Sequence, residues 1–329
     1  MSAATYDVVC LRPEADFLKI GVTPPARLSI IYASPEDANL PALVRQARAL
    51  VIPAVGPKLD GALFRDSEVR LVQVTGAGVD RLDEAAMKAH GIAVANVAGG
   101  SNSALAEYAV AGALTLHRRI AWADREIRKG NYQAFRARMI ADSLQGIGGL
   151  TVGIVGLGNI GLAVAEAFKR MGSELVYFDP AVPDSAAAAK LGARPVSLAE
   201  LLEVADVVTL HVPLLPATSG LIGAEELERM KPNAVLINAA RGGVVDEAAL
   251  AASLMRGEIG GAAVDVYSEE PPPASNPLLA LEGEGAQRIL FTPHIAGVTR
   301  QAWAHLFETA WENVVGVLER GEPVLNRVY

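Results

Sequence analysis

Val152-Gly153-Ile154-Val155-Gly156-Leu157-Gly158-Asn159-Ile160-Gly161 is the stretch on which the reading of this chain turns. A short apolar run, Thr151–Val155, reads as a buried strand, and Leu162–Met171 reads as an apolar helix. The three glycines between them follow the spacing G-x-G-x-x-G. Gly156 permits a tight turn, Gly158 lets backbone approach a pyrophosphate, and Gly161 lets helix and strand pack closely, with the helix N-terminus facing the anion. Asp179 follows 18 residues after Gly161, at the end of the next expected strand, Glu174–Phe178. A carboxylate there accepts from both ribose hydroxyls and repels a 2′-phosphate, and neither Pro180 nor Ala181 can pair with one. The expected cofactor is NAD.

Working outward, strand and helix patterns alternate on both sides of this motif. Before it, Tyr6–Val9, Ser29–Tyr32, Ala49–Ile52, Leu71–Val74 and Ile92–Val94 read as buried strands, with helices over Leu40–Arg48 and Asp83–His90. After it come strands over Val207–Leu210, Ala234–Asn238, Gly261–Val264 and Ile289–Phe291, making six in that half. This rhythm implies α/β architecture with two doubly wound parallel sheets covered on both faces. Ser103 to about Lys129 reads as one long helix, and Thr299–Glu319 as a last one. That final helix is too small to stand alone and belongs with the first half. The expected domains are therefore residues 1–101 with 298–329, and residues 102–297.

Composition narrows the function. The chain has 329 residues, enough for two domains, and 51% hydrophobic with 20% charged residues is a folded, non-disordered mixture. With 29 basic against 37 acidic residues and no basic run, nucleic acid is not an expected partner. No apolar run is long enough for a membrane span, and no signal peptide is read, so a cytoplasmic protein is expected. The single cysteine, Cys10, forbids an intrachain disulfide, and the five histidines show no metal-ligand spacing. No metal is expected.

In open α/β sheets the working residues lie beyond the carboxyl ends of the strands. Those positions hold Asp179, His211, Arg241, Asp265 and His294. The segments Thr75-Gly76-Ala77-Gly78-Val79-Asp80, Leu210-His211-Val212-Pro213-Leu214, Asn238 to Glu247, Val264 to Pro271, and Thr292-Pro293-His294-Ile295-Ala296-Gly297 then carry a resemblance. Together with the glycine motif they resemble the D-isomer-specific 2-hydroxyacid dehydrogenases, the family of glyoxylate/hydroxypyruvate reductases and 3-phosphoglycerate dehydrogenase. The resemblance implies a flavodoxin-like substrate domain and a Rossmann NAD-binding domain, with Arg241, Glu270 and His294 as the catalytic set. Spacing alone does not separate Glu270 from Glu269; the family pattern selects Glu270, immediately before Pro271. It also places Asn159, Ile160, Ala239 and Ala240 in the cofactor site, Asp265 at the nicotinamide carboxamide, and His211, Val212 and Pro213 beside the adenine. For Asp265 a structural role is the other reading. Backbone N–H groups of Ala77 and Gly78 would receive the substrate carboxylate.

The chemistry suits those roles. Arg241 is a permanently charged fork for a 2-oxo acid's carboxylate and carbonyl oxygen. His294 can give a proton to the alkoxide left by hydride transfer, and Glu270 would orient the ring and keep that proton available. Glu270 stands where formate dehydrogenases of this superfamily carry Gln, and Ala77 where phosphite dehydrogenases use Lys. Pro53 falls where many members carry an Arg, which in phosphoglycerate dehydrogenases helps hold the substrate phosphate. A small 2-oxo acid such as glyoxylate or hydroxypyruvate is therefore expected. A 3-phosphoglycerate-type or other larger 2-hydroxyacid dehydrogenase is the alternative, and an NAD(H)-sensing corepressor is the alternative from another class. The segment Tyr132–Met139 is read as an exposed basic loop whose Arg136 and Arg138 could add a second cation. Leu116, Ile120, Trp122 and Phe135 are apolar positions in the region that the resemblance assigns to a homodimer interface between NAD-binding domains.

Overall fold

The computed structural model describes residues 6–181 and 185–329. The chain forms two compact units, one of residues up to Ser101 with Val298–Tyr329, the other Asn102–Gly297.

In the first unit the chain runs β1 (Tyr6–Cys10), α1 (Glu14–Lys19), β2 (Ile30–Tyr32), α2 (Leu40–Arg45), β3 (Ala47–Ile52), β4 (Leu71–Val74), α3 (Glu84–Ala89) and β5 (Ala93–Ala95). The sheet order is β2-β1-β3-β4-β5 with every pairing parallel, the flavodoxin-like order. Register explains why these strands are apolar throughout. Val9, Leu50, Val72 and Val94 align in one row and pack on Phe64 and Met87. Val8, Ala49, Leu71 and Ala93 form the next row and face the opposite way, toward Phe17 and the C-terminal helix. That helix (Arg300–Glu319) is capped by Thr299, whose hydroxyl accepts the Ala302 N–H at 3.1 Å. Its Phe307 and Trp311 sit 4.7 and 5.4 Å from the Phe17 ring. A buried Asn313 donates to Gln73 at 2.6 Å and fixes the helix against β4.

The second unit opens with α4 (Asn102–His117), α5 (Ile120–Arg128) and α6 (Tyr132–Ala141). It continues with β6 (Thr151–Val155), α7 (Asn159–Arg170), β7 (Glu174–Phe178), α8 (Ala186–Lys190), β8 (Arg194–Pro195), α9 (Leu198–Val204) and β9 (Val207–Leu210). The last elements before the C-terminal helix, which is α12, are α10 (Ala224–Arg229), β10 (Val235–Asn238), α11 (Glu247–Arg256), β11 (Gly261–Val264) and β12 (Ile289–Phe291). Its parallel sheet has the order β12-β11-β10-β9-β6-β7-β8, so the winding reverses between β6 and β9. One face packs on α4 and α7 through Ala109, Ala113, Val164 and Phe168, the other on Leu201, Leu227, Leu250 and Leu254. The α/β class with two parallel doubly wound sheets is the one expected.

Several local expectations are corrected. The long helix over Ser103–Lys129 is two helices, because Arg119 adopts φ 50° between them. Tyr132–Met139 is not a loop but lies in α6, anchored by Phe135, whose ring sits 5.5 Å from Trp122 at a tilt of 57°. Helix α2 stops at Arg45 rather than Arg48, since Ala47 already pairs with Tyr6 in the sheet. A seventh strand, β8, adds two residues to the sheet edge.

Candidate active site

Register builds the site. Phe178, Val155, Leu210, Asn238, Val264 and Phe291 lie in the last paired row of the second sheet. The residues one step further, Asp179, Gly156, His211, Ala239, Asp265 and Thr292, therefore emerge together at the carboxyl edge, across the point where the winding reverses.

The glycine loop is tight where it must be and open where a ligand would lie. Gly156 has φ +91°, and a Cβ there would stand 2.6 Å from the His211 carbonyl. A Cβ on Gly161 would stand 2.1 Å from the Gly156 carbonyl, while one on Gly158 would meet nothing within 4 Å. Gly158 is also the N-cap of α7 and makes no side-chain cap, so Asn159 and Ile160 begin a helix whose positive end is presented by backbone. Asp179 is half-buried and accepts from the Leu157 N–H at 2.8 Å and the Ala181 N–H at 2.9 Å. Its carboxylate is thus fixed on the glycine loop with lone pairs to spare. His211 bonds Thr209 Oγ1 at 2.8 Å, and burial pushes its imidazole down to about 4, so the ring is neutral at neutral pH. Val212 lies against the Gly156 position, and the Pro213 carbonyl accepts from Thr218. These residues fit a dinucleotide: an open cradle at a helix N-terminus, with a fixed carboxylate one strand away.

The second half of the site gathers around β10, β11 and β12. Ala240 is buried, and its carbonyl accepts from Arg241 Nη1 at 2.7 Å. Gly242 presses so closely on the next strand's extension that a Cβ would stand 1.8 Å from the Tyr267 carbonyl, which brings the Arg241 turn beside the loop of Glu270. Glu247 steadies that loop, accepting from the Ser268 N–H and Asn276 Nδ2, both at 2.7 Å. Glu270 accepts from the Tyr267 N–H at 3.0 Å through Oε1 and contacts His294 Nδ1 at 2.8 Å through Oε2. A carboxylate only accepts, so Nδ1 carries the proton and Nε2 is left for chemistry. Both side chains keep 27% of their surface exposed, so a small molecule can reach them. Glu269, its neighbour in sequence, does not make this contact.

His294 has φ 54°, a conformation that costs a non-glycine residue of order 1–3 kcal/mol and persists only when held. Asp265 holds it. The Asp265 carbonyl accepts the His294 N–H at 2.8 Å, and its buried carboxylate accepts the N–H groups of Ile295 and Ala296, each at 2.8 Å. Thr292 Oγ1 lies 2.6 Å from the same carboxylate and 2.7 Å from the Tyr108 hydroxyl. Sequence reasoning missed Thr292, Tyr108 and Glu247. Thr292 had a signal, as a polar residue in the row just beyond the last strand pairs; Tyr108, within an apolar helix, had none.

In the first unit, Ala77 is exposed and Gly78 half-buried on the turn after β4. Asn96 Nδ2 donates to the Ala77 carbonyl at 2.7 Å and fixes that turn. Pro53 presents only its carbonyl, which accepts from the buried Arg81 at 2.8 Å. Arg136 is exposed on α6, whereas Arg138 pairs with Glu284 at 2.9 Å and stacks 4.6 Å above Trp122. Arg138 is thus engaged inside its own unit. Trp122 and Phe135 are buried against each other, leaving Ile120, Ile127, Tyr132 and Ile140 as the exposed large apolar residues of α5 and α6.

Residues 110–296 match the family model described as D-isomer specific 2-hydroxyacid dehydrogenase, NAD binding domain. The chain is 37% identical over 272 residues to D-3-phosphoglycerate dehydrogenase of Archaeoglobus fulgidus, an alignment covering 82% of this chain and 49% of that protein. It therefore spans about half the length of that relative. It is 36% identical over 286 residues to glyoxylate reductase of Korarchaeum cryptofilum, covering 87% and 83%. The structure resembles holo D-mandelate dehydrogenase of Rhodotorula graminis with a TM-score of 0.84 at 26% identity, over 100% of this chain and 98% of that one. No helix among the described residues is long and apolar enough to cross a membrane.

Proposed function

The chain belongs to the D-isomer-specific 2-hydroxyacid dehydrogenase family, a family of NAD-dependent oxidoreductases, and we propose that it reduces a small 2-oxo acid of the glyoxylate or hydroxypyruvate type to the D-2-hydroxy acid. The observation that carries this reading is the 2.8 Å contact between His294 Nδ1 and Glu270, which leaves Nε2 as the atom open to exchange a proton with a substrate.

NADH, when bound, would supply the hydride that reduces the carbonyl carbon. The guanidinium of Arg241 binds the substrate carboxylate and polarises the carbonyl oxygen. As negative charge develops on that oxygen, His294 Nε2 delivers a proton to it, and Glu270 steadies the imidazolium before transfer. Oxidation of the 2-hydroxy acid runs the same steps backward, with neutral His294 as the base. Gly156, Gly158, Asn159, Ile160 and Gly161 would cradle the pyrophosphate; Asp179 would take the ribose hydroxyls; His211, Val212 and Pro213 would wall the adenine; Ala239 and Ala240 would line the nicotinamide end. Three of the approximately four lone-pair sites on the Asp265 carboxylate are taken within the protein, which leaves one for the carboxamide.

An unphosphorylated substrate is favoured by the uncharged Pro53, whose carbonyl is taken up by Arg81. The exposed side chains Ile120, Ile127, Tyr132 and Ile140 support a homodimer formed through the NAD-binding domain. The single cysteine, free and buried, supports a cytoplasmic setting. Steady-state rates with NADH over a panel of 2-oxo acids test the reading. The highest kcat/KM is expected with glyoxylate or hydroxypyruvate, and the absence of turnover with every 2-oxo acid, in protein that binds NADH, would overturn it.

A further inference from the structure

We propose that the hydrogen-bonded chain Tyr108–Thr292–Asp265 sets the position of His294 for proton transfer, so that Thr292 and Tyr108 are positioning residues of the active site. The inference rests on the reading of His294 as the acid/base.

Each link has a determined direction. The Asp265 carboxylate only accepts, so the single hydroxyl proton of Thr292 goes to Asp265 Oδ1 across 2.6 Å. With that proton committed, Thr292 Oγ1 can only accept from Tyr108, whose hydroxyl must be the donor across 2.7 Å. Burial pushes the Tyr108 phenol well above its ordinary range, so the donor stays protonated. Thr292 is itself immobilised: its N–H donates to the Val264 carbonyl at 3.0 Å, and its carbonyl accepts from the Tyr267 hydroxyl at 3.0 Å.

The far end of the chain explains why this matters for the imidazole. Two successive N–H groups, from Ile295 and Ala296, converge on the one Asp265 carboxylate. In a nest, an αR–αL pair turns neighbouring N–H groups toward one anion, and His294, with φ 54°, is the left-handed residue beside this pair. Asp265 thus ties down the backbone at and just after His294, through its carbonyl and its carboxylate, and so sets where the ring starts its reach toward Glu270. Tyr108 lies on α4, Asp265 beyond β11 and Thr292 beyond β12, so three elements fix one side chain. Glu270 orients the ring from the side-chain end; this network does so from the backbone end.

The test uses Thr292→Val, which keeps the shape and removes the hydroxyl, Thr292→Ser, which restores it, and Tyr108→Phe. With the best 2-oxo acid of the panel, Thr292→Val is expected to lower kcat about 10–100-fold, as a small misplacement of a catalytic group does. The substrate KM and the NADH Kd should stay within about twofold, and Thr292→Ser should recover most of the rate. Tyr108→Phe should lower kcat by roughly 2–5-fold. The imidazole nitrogen resonances, few enough to assign with five histidines, should show His294 losing its Nδ1-protonated preference in Thr292→Val. Parental kcat and an unchanged His294 signal in Thr292→Val would overturn the proposal, as would a rate loss matched by an equal loss of NADH affinity. Should Thr292→Val fail to fold, Tyr108→Phe decides by the same readouts. If His294→Ala retained turnover, the acid/base reading would fall, and the His294 signal in Thr292→Val would still decide the network by itself.

Discussion

The glycine loop after β6 and the His294 loop after β12 leave the same edge of one sheet, yet they are built in opposite ways. The first achieves its shape by having almost no side chains. Gly156 and Gly161 are pressed against backbone, Gly158 faces open space, and the helix that follows has no side-chain cap. The second achieves its shape with side chains that leave little freedom. Asp265, Thr292, Tyr108 and Glu270 converge on a single histidine held in a left-handed conformation. The difference follows from what each loop handles. A pyrophosphate is bulky and fully charged, so the protein supplies room and backbone N–H groups. A proton transfer needs one nitrogen in one place, and a carbonyl oxygen tolerates little error in it.

The sharpest way to break the comparison is to empty the crowded loop. His294→Ala should lower kcat about 10²–10⁴-fold while NADH still binds with unchanged affinity in a fluorescence titration, because only proton transfer is lost. Filling the empty loop should do the reverse, and its last two glycines should part company. Gly161→Ala places a Cβ 2.1 Å from a backbone carbonyl and should cost about 1–3 kcal/mol in denaturant unfolding, as overpacking does. Gly158→Ala meets no atom in the protein and should change stability by less than about 1 kcal/mol. Its NADH affinity should nevertheless fall roughly tenfold, worth about 1.4 kcal/mol. Equal stability of the two variants would remove the distinction between packing and ligand glycines. The last effect, confined to cofactor choice, is expected at Asp179→Ala. The ratio of kcat/KM for NADH over NADPH should shrink by about tenfold, since a repelling carboxylate is gone but no cation has been added. Equal use of both cofactors by the parent enzyme would remove the role given to Asp179.

Much of this was legible in sequence, and the parts that were not share a cause. Parallel strands buried on both faces are continuous apolar runs, so Leu71–Val74, Thr151–Val155 and Glu174–Phe178 can be bounded by inspection. The glycine spacing and the polar residue after each strand mark the carboxyl edge. What escaped depends on tertiary context. Arg119 breaks a helix without a glycine or proline to announce it, and β8 is two residues long with a proline in it. The α6 helix is short and carries two arginines, and its anchors, Phe135 on Trp122 and Arg138 on Glu284 and Trp122, are tertiary contacts that no local pattern foretells. Thr292 and Tyr108 are far apart in sequence, and nothing local in the residues around Tyr108 says that its hydroxyl will meet Thr292.

The packing of α12 also bears on how the molecule is made. Its Phe307, Trp311 and Val314 complete the core whose other members, Val8, Phe17, Ala49 and Leu71, lie in the opening segment of the chain. Ribosomes deliver these pieces in order, at ~5–20 residues per second, with the whole of Asn102–Gly297 synthesised in between. On the order of ten seconds or more therefore passes in which the early strands have one apolar face uncovered. The intervening unit carries all of its own core and can mature during that wait. The first unit must be kept from aggregating until its last helix arrives, which makes it the natural client of a chaperone during translation and the half in which late truncations would do most harm.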